Sequence, residues 1–460
     1  MDTCHNSRNA IWEMDRAHFL HPFTLFDSFA EEGSLIMDKA DGRHVYDADG
    51  KCYLDGIGGL WCVNVGYGRD EIVDAMAEQA RKMAYANPFT DMGNAPAARL
   101  AAKIAELAPG NLNHVMFSSG GSTAGDSAFR LIGYYWGCKG NTQRRLFLSR
   151  RGAYHGSTYI TQSLTGNAGR EVKEFTYADD IVRYVAEPNL SNRPESMSEE
   201  EYIDWLIQEF EERVQEIGPD NIAAHFAEPV MGAGGVIVPP QRYITATREI
   251  CAKHGILYVA DEVVTAFGRL GAWFASKDVF GIQPDMIVSA KGLSSGYLPL
   301  GATIFSDEMH GVIAETGHGR LFSNGFTYSG HPVCCAAALK NIEIMERENL
   351  PGYVKNDIGP YFMEKLGELS GINTVGEIRG SHLMACIVNV ADSETGKLFD
   401  PAINIGKRIA KAAQKRGLIV RPLGNLNILS PSLTITREET DQMVSILSDA
   451  MAEVHADLNC

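Results

Sequence analysis

Short apolar runs recur through the middle of the chain, and each stops at a small or charged residue. Residues 114–118, 146–149, 223–227, 256–260, 286–290 and 302–305 read as buried strands. Among them the apolar spacing changes to that of a helix, predicting helices over 126–138, 200–217 and 242–254. Strands alternating with amphipathic helices specify an α/β unit with a mostly parallel sheet and crossover helices.

The two ends of the chain follow other patterns. Residues 1–35 read as irregular, with His21-Pro22-Phe23 as an extended lead-in. Three short strands follow, at Leu35–Met37, His44–Tyr46 and Cys52–Leu54, separated by turns at Asp41-Gly42 and Asp49-Gly50. The glycines of Gly56-Ile57-Gly58-Gly59-Leu60-Trp61 imply backbone packed close to something. Helices are expected to start near Asp70 and to run over 95–108, stopped by Pro109-Gly110. Beyond Gly330, helices over 336–348 and 405–415 and strands over 384–390 and 418–420 describe a smaller α+β unit. The expected organisation is a large domain of residues 70–330, with 1–69 and 331–460 joining to make the small one.

Composition narrows the partners. A net charge of −17 argues against nucleic acid or an anionic membrane, which need positive surface. Much of the acidity lies in 195–216, with nine acidic residues and one arginine, where apolar positions still fall at helical spacing. Nine scattered cysteines without a CxxC or Cys/His ligand pattern suit free thiols in a reducing compartment and give no zinc site. With no signal pattern and no apolar run long enough to span a membrane, the expected location is the cytoplasm.

Candidate chemistry sits where the strands stop. Asp261 and Lys291 each follow an apolar run, and a charged side chain there is costly unless it meets a partner or does chemistry. Ligands of open parallel sheets bind at the carboxyl ends of strands. Ser119-Gly120-Gly121-Ser122-Thr123 follows the strand at 114–118 and leads into a helix, as either a simple cap or a phosphate cradle. It has neither a P-loop nor a dinucleotide fingerprint. Tyr154-His155 between glycines could stack on a flat ring or plug the core, and Glu228 could support a ligand or form a structural ion pair. One chemistry uses the whole set. Pyridoxal phosphate needs a lysine amine for its aldehyde, a carboxylate for its ring nitrogen, a small-residue helix start for its phosphate and contacts for its ring faces. Lys291, Asp261, Gly121-Ser122, Tyr154 and Val263 supply these.

With those residues in view, the chain resembles the class III, or omega, aminotransferases of fold-type I over nearly its whole length. The matching runs are AEPVMGAGG around Glu228, DEVVTAFGR from Asp261, DMIVSAKGLSSGYLPLGA around Lys291, GFTYSGHPVCCAAAL from Gly325, AYHGST from Ala153, and the earlier HPFT and GGLW. The resemblance implies covalent attachment of the cofactor at Lys291, with Asp261 at its ring nitrogen. It also implies Val263 and Tyr154 on the ring faces, and Gly120, Gly121 and Ser122 at the phosphate, with His155 and Glu228 nearby. Thr327 would reach the phosphate of a neighbouring subunit, so a homodimer with shared sites is expected. Trp61 and Tyr154 would line the substrate pocket, with Phe89 shaping its side, and Arg421 would clamp a substrate carboxylate. The implied activity is ping-pong transamination from an amine or omega-amino acid to a keto acid such as pyruvate. A decarboxylating transaminase or an aminomutase on the same scaffold is the alternative. The phosphate loop departs from the family pattern: it reads GGSTAGDS where many relatives have GSEAND, so Thr123 and Gly125 stand for Glu and Asn.

Overall fold

The computed structural model describes residues 8–89, 91–167, 172–315 and 318–458. A hairpin sheet comes first, formed by β1 (Met37–Asp41), β2 (His44–Asp47) and β3 (Cys52–Asp55), all antiparallel. The first 35 residues are not irregular: helices run over Arg8–His18 and Phe26–Glu32. The second has no buried residue, so it shows no apolar stripe from which its period could be read. Gly33, at its end, leaves the space that the Trp12 ring fills.

Seven strands make the central sheet: β4 (His114–Ser118), β5 (Leu146–Arg150), β6 (Val182–Val185), β7 (Ile222–Ala227), β8 (Leu257–Asp261), β9 (Met286–Ser289) and β10 (Gly301–Phe305). Their order is β4-β10-β9-β8-β7-β5-β6. β6, with only two fully buried residues, is the strand that the apolar pattern misses. β10 runs antiparallel to both neighbours and all other pairs are parallel. Two reversals cancel, so the carboxyl ends of β4, β5, β7, β8 and β9 all open on one edge. Every residue of β7, β8 and β9 is buried, as a sheet covered on both faces requires.

The helix Gly121–Cys138 begins five residues before the apolar period becomes visible. A Cβ on Gly121 would lie 3.0 Å from both Val263 methyls, and one on Gly125 would lie 2.6 Å from Thr161 Cγ2. Close packing against these neighbours outweighs the low helix propensity of two glycines. The acidic segment forms the helix Glu199–Ile217, opened by a reciprocal Ser198/Glu201 cap and closed at Gly218.

The chain then enters β11 (Val375–Ser381), β12 (Met384–Asp392), β13 (Lys397–Leu398), β14 (Leu418–Ile419), β15 (Arg421–Leu423) and β16 (Leu426–Leu429). β14 pairs in parallel with β3, so the beginning and end of the chain share a sheet. β11, β12, β16 and β15 form a separate antiparallel sheet, with β13 on β12. The glycine run before Trp61 is packed closely, as its composition implies. Gly58 and Gly59 have φ of +55° and +68°, and a Cβ on Gly58 would lie 2.8 Å from the Ser430 carbonyl. Among the described residues no helix is long and apolar enough to cross a membrane.

Candidate active site

Asp261 is the last residue of β8, and Lys291 follows β9 by two residues. Because β8 and β9 are neighbours, these two residues project from one edge of the sheet. The Asp261 carboxylate is buried and held from two sides. His155 Nδ1 lies 2.7 Å from its Oδ2, and the Val263 amide donates to its Oδ1 at 3.1 Å. With Nδ1 as donor, the imidazole orients the carboxyl. His155 Nε2 is buried with no partner among the described residues.

Lys291 has φ of +43° and opens the turn Lys291–Leu293. As a residue it is half-buried, and its Nζ lies 5.6 Å from the centroid of the Trp61 ring. Arg421, at the start of β15, has its guanidinium 6.0 Å from the same ring. Trp61 is thus within about 6 Å of both cations and is itself 3 % exposed, its ring filling the space over Gly232. Burial lowers the pKa of Arg421, and Tyr154 opposes that shift. None of the ion pairs between described residues includes Lys291 or Arg421.

Glu228, just after β7, accepts the Tyr154 amide at 3.0 Å and the Gly232 amide at 2.9 Å. Burial pushes its pKa up, while His155 and the two amides oppose that shift. Among the described residues Glu228 forms no ion pair; it holds the loop that carries Tyr154, which is half-buried. The buried Arg150 guanidinium donates to the Glu228 carbonyl and ties the ends of β5 and β7 together.

Gly121 is the first residue of an 18-residue helix, with Gly120 extended before it. Amides of the first helical turn lack intrahelical acceptors and, with the helix dipole, favour an anion. Ser122 Oγ accepts the Ser157 amide at 3.0 Å, and Ser157 Oγ is 3.0 Å from the Tyr154 hydroxyl. Val263 faces Gly121 directly. Thr123 donates to the Gly120 carbonyl at 3.0 Å and accepts the Ser119 amide at 3.2 Å. The loop is thus closed by a hydroxyl of its own.

Lys291, Asp261, His155, Glu228, Tyr154, Val263, Gly120, Gly121, Ser122, Trp61 and Arg421 therefore converge on one strand-end edge. Two residues do not. Thr327 is exposed on a turn, where its carbonyl accepts from the Tyr85 hydroxyl at 3.0 Å. Phe89 is 47 % exposed and lines an apolar cavity of about 510 Å³ with Phe322, Phe326 and Ser329. No hydrogen bond or ring contact between the described residues joins either of them to Lys291 or Asp261. Phe23 and Ser157 escaped the residue-by-residue reading. Phe23 is 74 % exposed and its ring centroid lies 6.3 Å from that of Tyr154. The HPFT run was its only sequence signal, and nothing local ties that run to Tyr154.

Burial is the largest influence on the Lys291 amine and holds its pKa below the ordinary lysine value. Arg421 adds to the lowering, and Asp261, Cys62 and Glu228 oppose it. An unfolded lysine stays protonated to a pH of about 10.4. Between the folded and unfolded values the unfolded chain holds more protons, so stability rises with pH across that window. Lys291→Met should therefore stabilise the cofactor-free protein at neutral pH, and the gain should vanish as pH rises through the ordinary lysine range. Urea midpoints of both proteins over that range check this; a pH-independent difference would remove desolvation as the cause.

A family model described as aminotransferase class-III matches residues 28–451. A putrescine–pyruvate aminotransferase of Pseudomonas aeruginosa is 38% identical over 453 residues, covering 98% of both chains. A mitochondrial gamma-aminobutyrate transaminase of Oryza sativa is 38% identical over 435 residues, 94% of this chain and 84% of its own. The crystal structure of an (S)-enantioselective omega-transaminase from Thermomicrobium roseum superposes with a TM-score of 0.93 at 39% identity, covering 97% of this chain and 99% of that one. An omega-transaminase from Pseudomonas jessenii, solved in complex with PMP, gives 0.93 at 33% identity over 97% and 98%. With a strand-end lysine and aspartate on a fold-type I scaffold, the chain belongs to the class-III aminotransferases and passes an amino group from an amine donor to a keto acid.

Proposed function

We propose that this aminotransferase holds pyridoxal 5'-phosphate at the strand-end edge, with Lys291 as its covalent anchor. The observation that carries the reading is a desolvated lysine amine in electrostatic reach of a buried, doubly held carboxylate. Class-III aminotransferases depend on this cofactor, and the residues present fit it. Gly120, Gly121 and Ser122 at the helix start would hold the phosphate, Asp261 the ring nitrogen, and Val263 and Tyr154 the ring faces. Bound there, the cofactor supplies an aldehyde and a protonated ring that withdraws electrons from the carbon bearing the amino group.

The chain's own part is proton handling and exclusion of water. A buried amine is neutral at a lower pH than a free lysine, so Lys291 Nζ can take the proton from that carbon and return it as a general acid. His155 holds the Asp261 carboxyl in place, and Glu228 fixes Tyr154 through its amide. Trp61 closes one wall, and Arg421, which has no carboxylate partner among the described residues, is free for the carboxylate of a keto acid such as pyruvate. One pocket serves both half-reactions in turn, so Arg421 moves aside for a donor without that carboxylate. Relatives that act on putrescine and on gamma-aminobutyrate favour a primary amine at the end of a short chain as donor. The same comparisons do not favour decarboxylation or aminomutase chemistry.

A second copy of the chain supports the rest of the assignment. Leu321, Tyr328, Met92 and Phe89 are 81, 59, 57 and 47 % exposed around the exposed Thr327, an apolar face of the kind that a partner covers. A homodimer would bring Thr327 and Phe89 to the other subunit's site, which explains why neither reaches its own. Seven free cysteines among the described residues suit a reducing cytoplasm. In the two-domain division proposed for the fold, residues 70–330 form the larger unit and the two ends, joined by β3 and β14, the smaller.

Three outcomes follow. Lys291→Ala should lose essentially all transaminase activity, and full retention sinks the assignment. Arg421→Ala should raise the keto-acid KM by about a hundredfold, the loss of a charge-assisted bidentate contact, with little change for a simple amine; equal effects refute the clamp. Sedimentation should return twice the 50.3 kDa chain mass, and a monomer would remove the shared site.

A further inference from the structure

Asn341 is a polar side chain where the pattern asks for an apolar one. It lies in the helix Pro332–Arg347, is 0 % exposed, and sits among Ala337, Ala338, Ile342 and Met345, all buried. An amide in such a place is costly unless its hydrogen bonds are used. Asn341 Nδ2 donates to the carbonyls of Gly292 and Leu293, at 2.9 and 3.0 Å. Two carbonyl acceptors fix which end of the amide faces them. Its Oδ1 has no partner among the described residues, and Nδ2 makes in addition a weak 3.8 Å approach to Met345 Sδ, so the two carbonyl bonds carry most of the side chain's polar value.

The turn it holds is the one that presents Lys291. Lys291 has φ of +43°, a conformation that a lysine adopts only when its surroundings impose it. Gly292 also packs against Asn64, whose Nδ2 would lie 2.3 Å from a Cβ there and donates to the Phe267 carbonyl at 2.6 Å. Asn64 in turn accepts from the buried Arg269 guanidinium at 3.0 Å. We propose that Asn341 is the positioning residue for the catalytic amine: by fastening the carbonyls of Gly292 and Leu293 to a core helix, it holds Lys291 in the strained conformation that aims Nζ along the Trp61 wall. Asn341 itself touches neither substrate nor cofactor. The inference rests on the assignment of Lys291 as the anchor.

The test compares the wild-type holoenzyme with Asn341→Leu, which keeps the shape and removes the donor, and with Asn341→Asp, which when protonated keeps one donated bond. Borohydride reduction and peptide mass spectrometry of the wild type first establish whether the cofactor is on Lys291; an unmodified Lys291 overturns the assignment itself. Given that modification, Asn341→Leu should shift the pH midpoint of the bound cofactor's absorbance by about half a unit or more, because Nζ no longer keeps its distance from Asp261, Glu228, Cys62 and Arg421. Its kcat should fall about a hundredfold, the scale of an ångström of misplacement, while both KM values stay within about twofold. Asn341→Asp should fall between the two, and it carries the comparison if the leucine variant does not fold. A lowered melting temperature with unchanged absorbance midpoint and unchanged kcat, in whichever variant folds, would reduce Asn341 to a core contact and overturn the proposal.

Discussion

The site depends on keeping a lysine amine out of water without neutralising it by a direct salt bridge. Lys291 feels the charge of Asp261, but that carboxylate is already engaged by His155 and the Val263 amide. Burial then outweighs attraction and leaves the amine with a lowered pKa, as a nucleophile and proton carrier requires. If Asp261 paired with Lys291 alone, the attraction would raise that pKa and remove the base.

The scaffold meets this requirement by topology. Two antiparallel pairings around β10 bring the end of β4 onto the same edge as the ends of β5, β7, β8 and β9. The phosphate-type helix start, the Tyr154 loop, Glu228, Asp261 and Lys291 thus arrive on a single line of strand ends. Support comes from buried polar groups that do no chemistry: Arg150 ties β5 to β7, and Arg269 joins Asn64 to the carbonyls of Leu383 and Pro431. Each is a fully buried cation spent on carbonyl or amide oxygens, which orders backbone rather than balancing charge.

The departure in the phosphate loop has a local account. Thr123 replaces a longer acid and satisfies the Ser119 amide and the Gly120 carbonyl within the loop. Gly125 removes a side chain where Thr161 approaches, and Thr158, beside Thr161, donates to Asp126 at 2.7 Å. These contacts pack the Gly156–Thr161 segment against the helix start.

What the chain alone determines is whatever is local. Continuous apolar runs of strand length mark β7, β8 and β9, and a charged residue ending such a run marks Asp261 and Lys291, because burial of charge is costly enough to be informative. Short range also explains the losses. The helices near the amino terminus and β6 lack the burial that makes a period visible, and two glycines disguise the start of the helix at Gly121. Tertiary structure alone decides that Trp61 lies near both Lys291 and Arg421, that Phe23 reaches Tyr154, and that Thr327 and Phe89 are exposed beside other residues. It also decides that Asn341 bonds the Gly292 carbonyl and that Asn64 packs against the same glycine. These contacts join residues tens to hundreds of positions apart, and no periodicity or spacing along the chain encodes which carbonyl a buried amide will find.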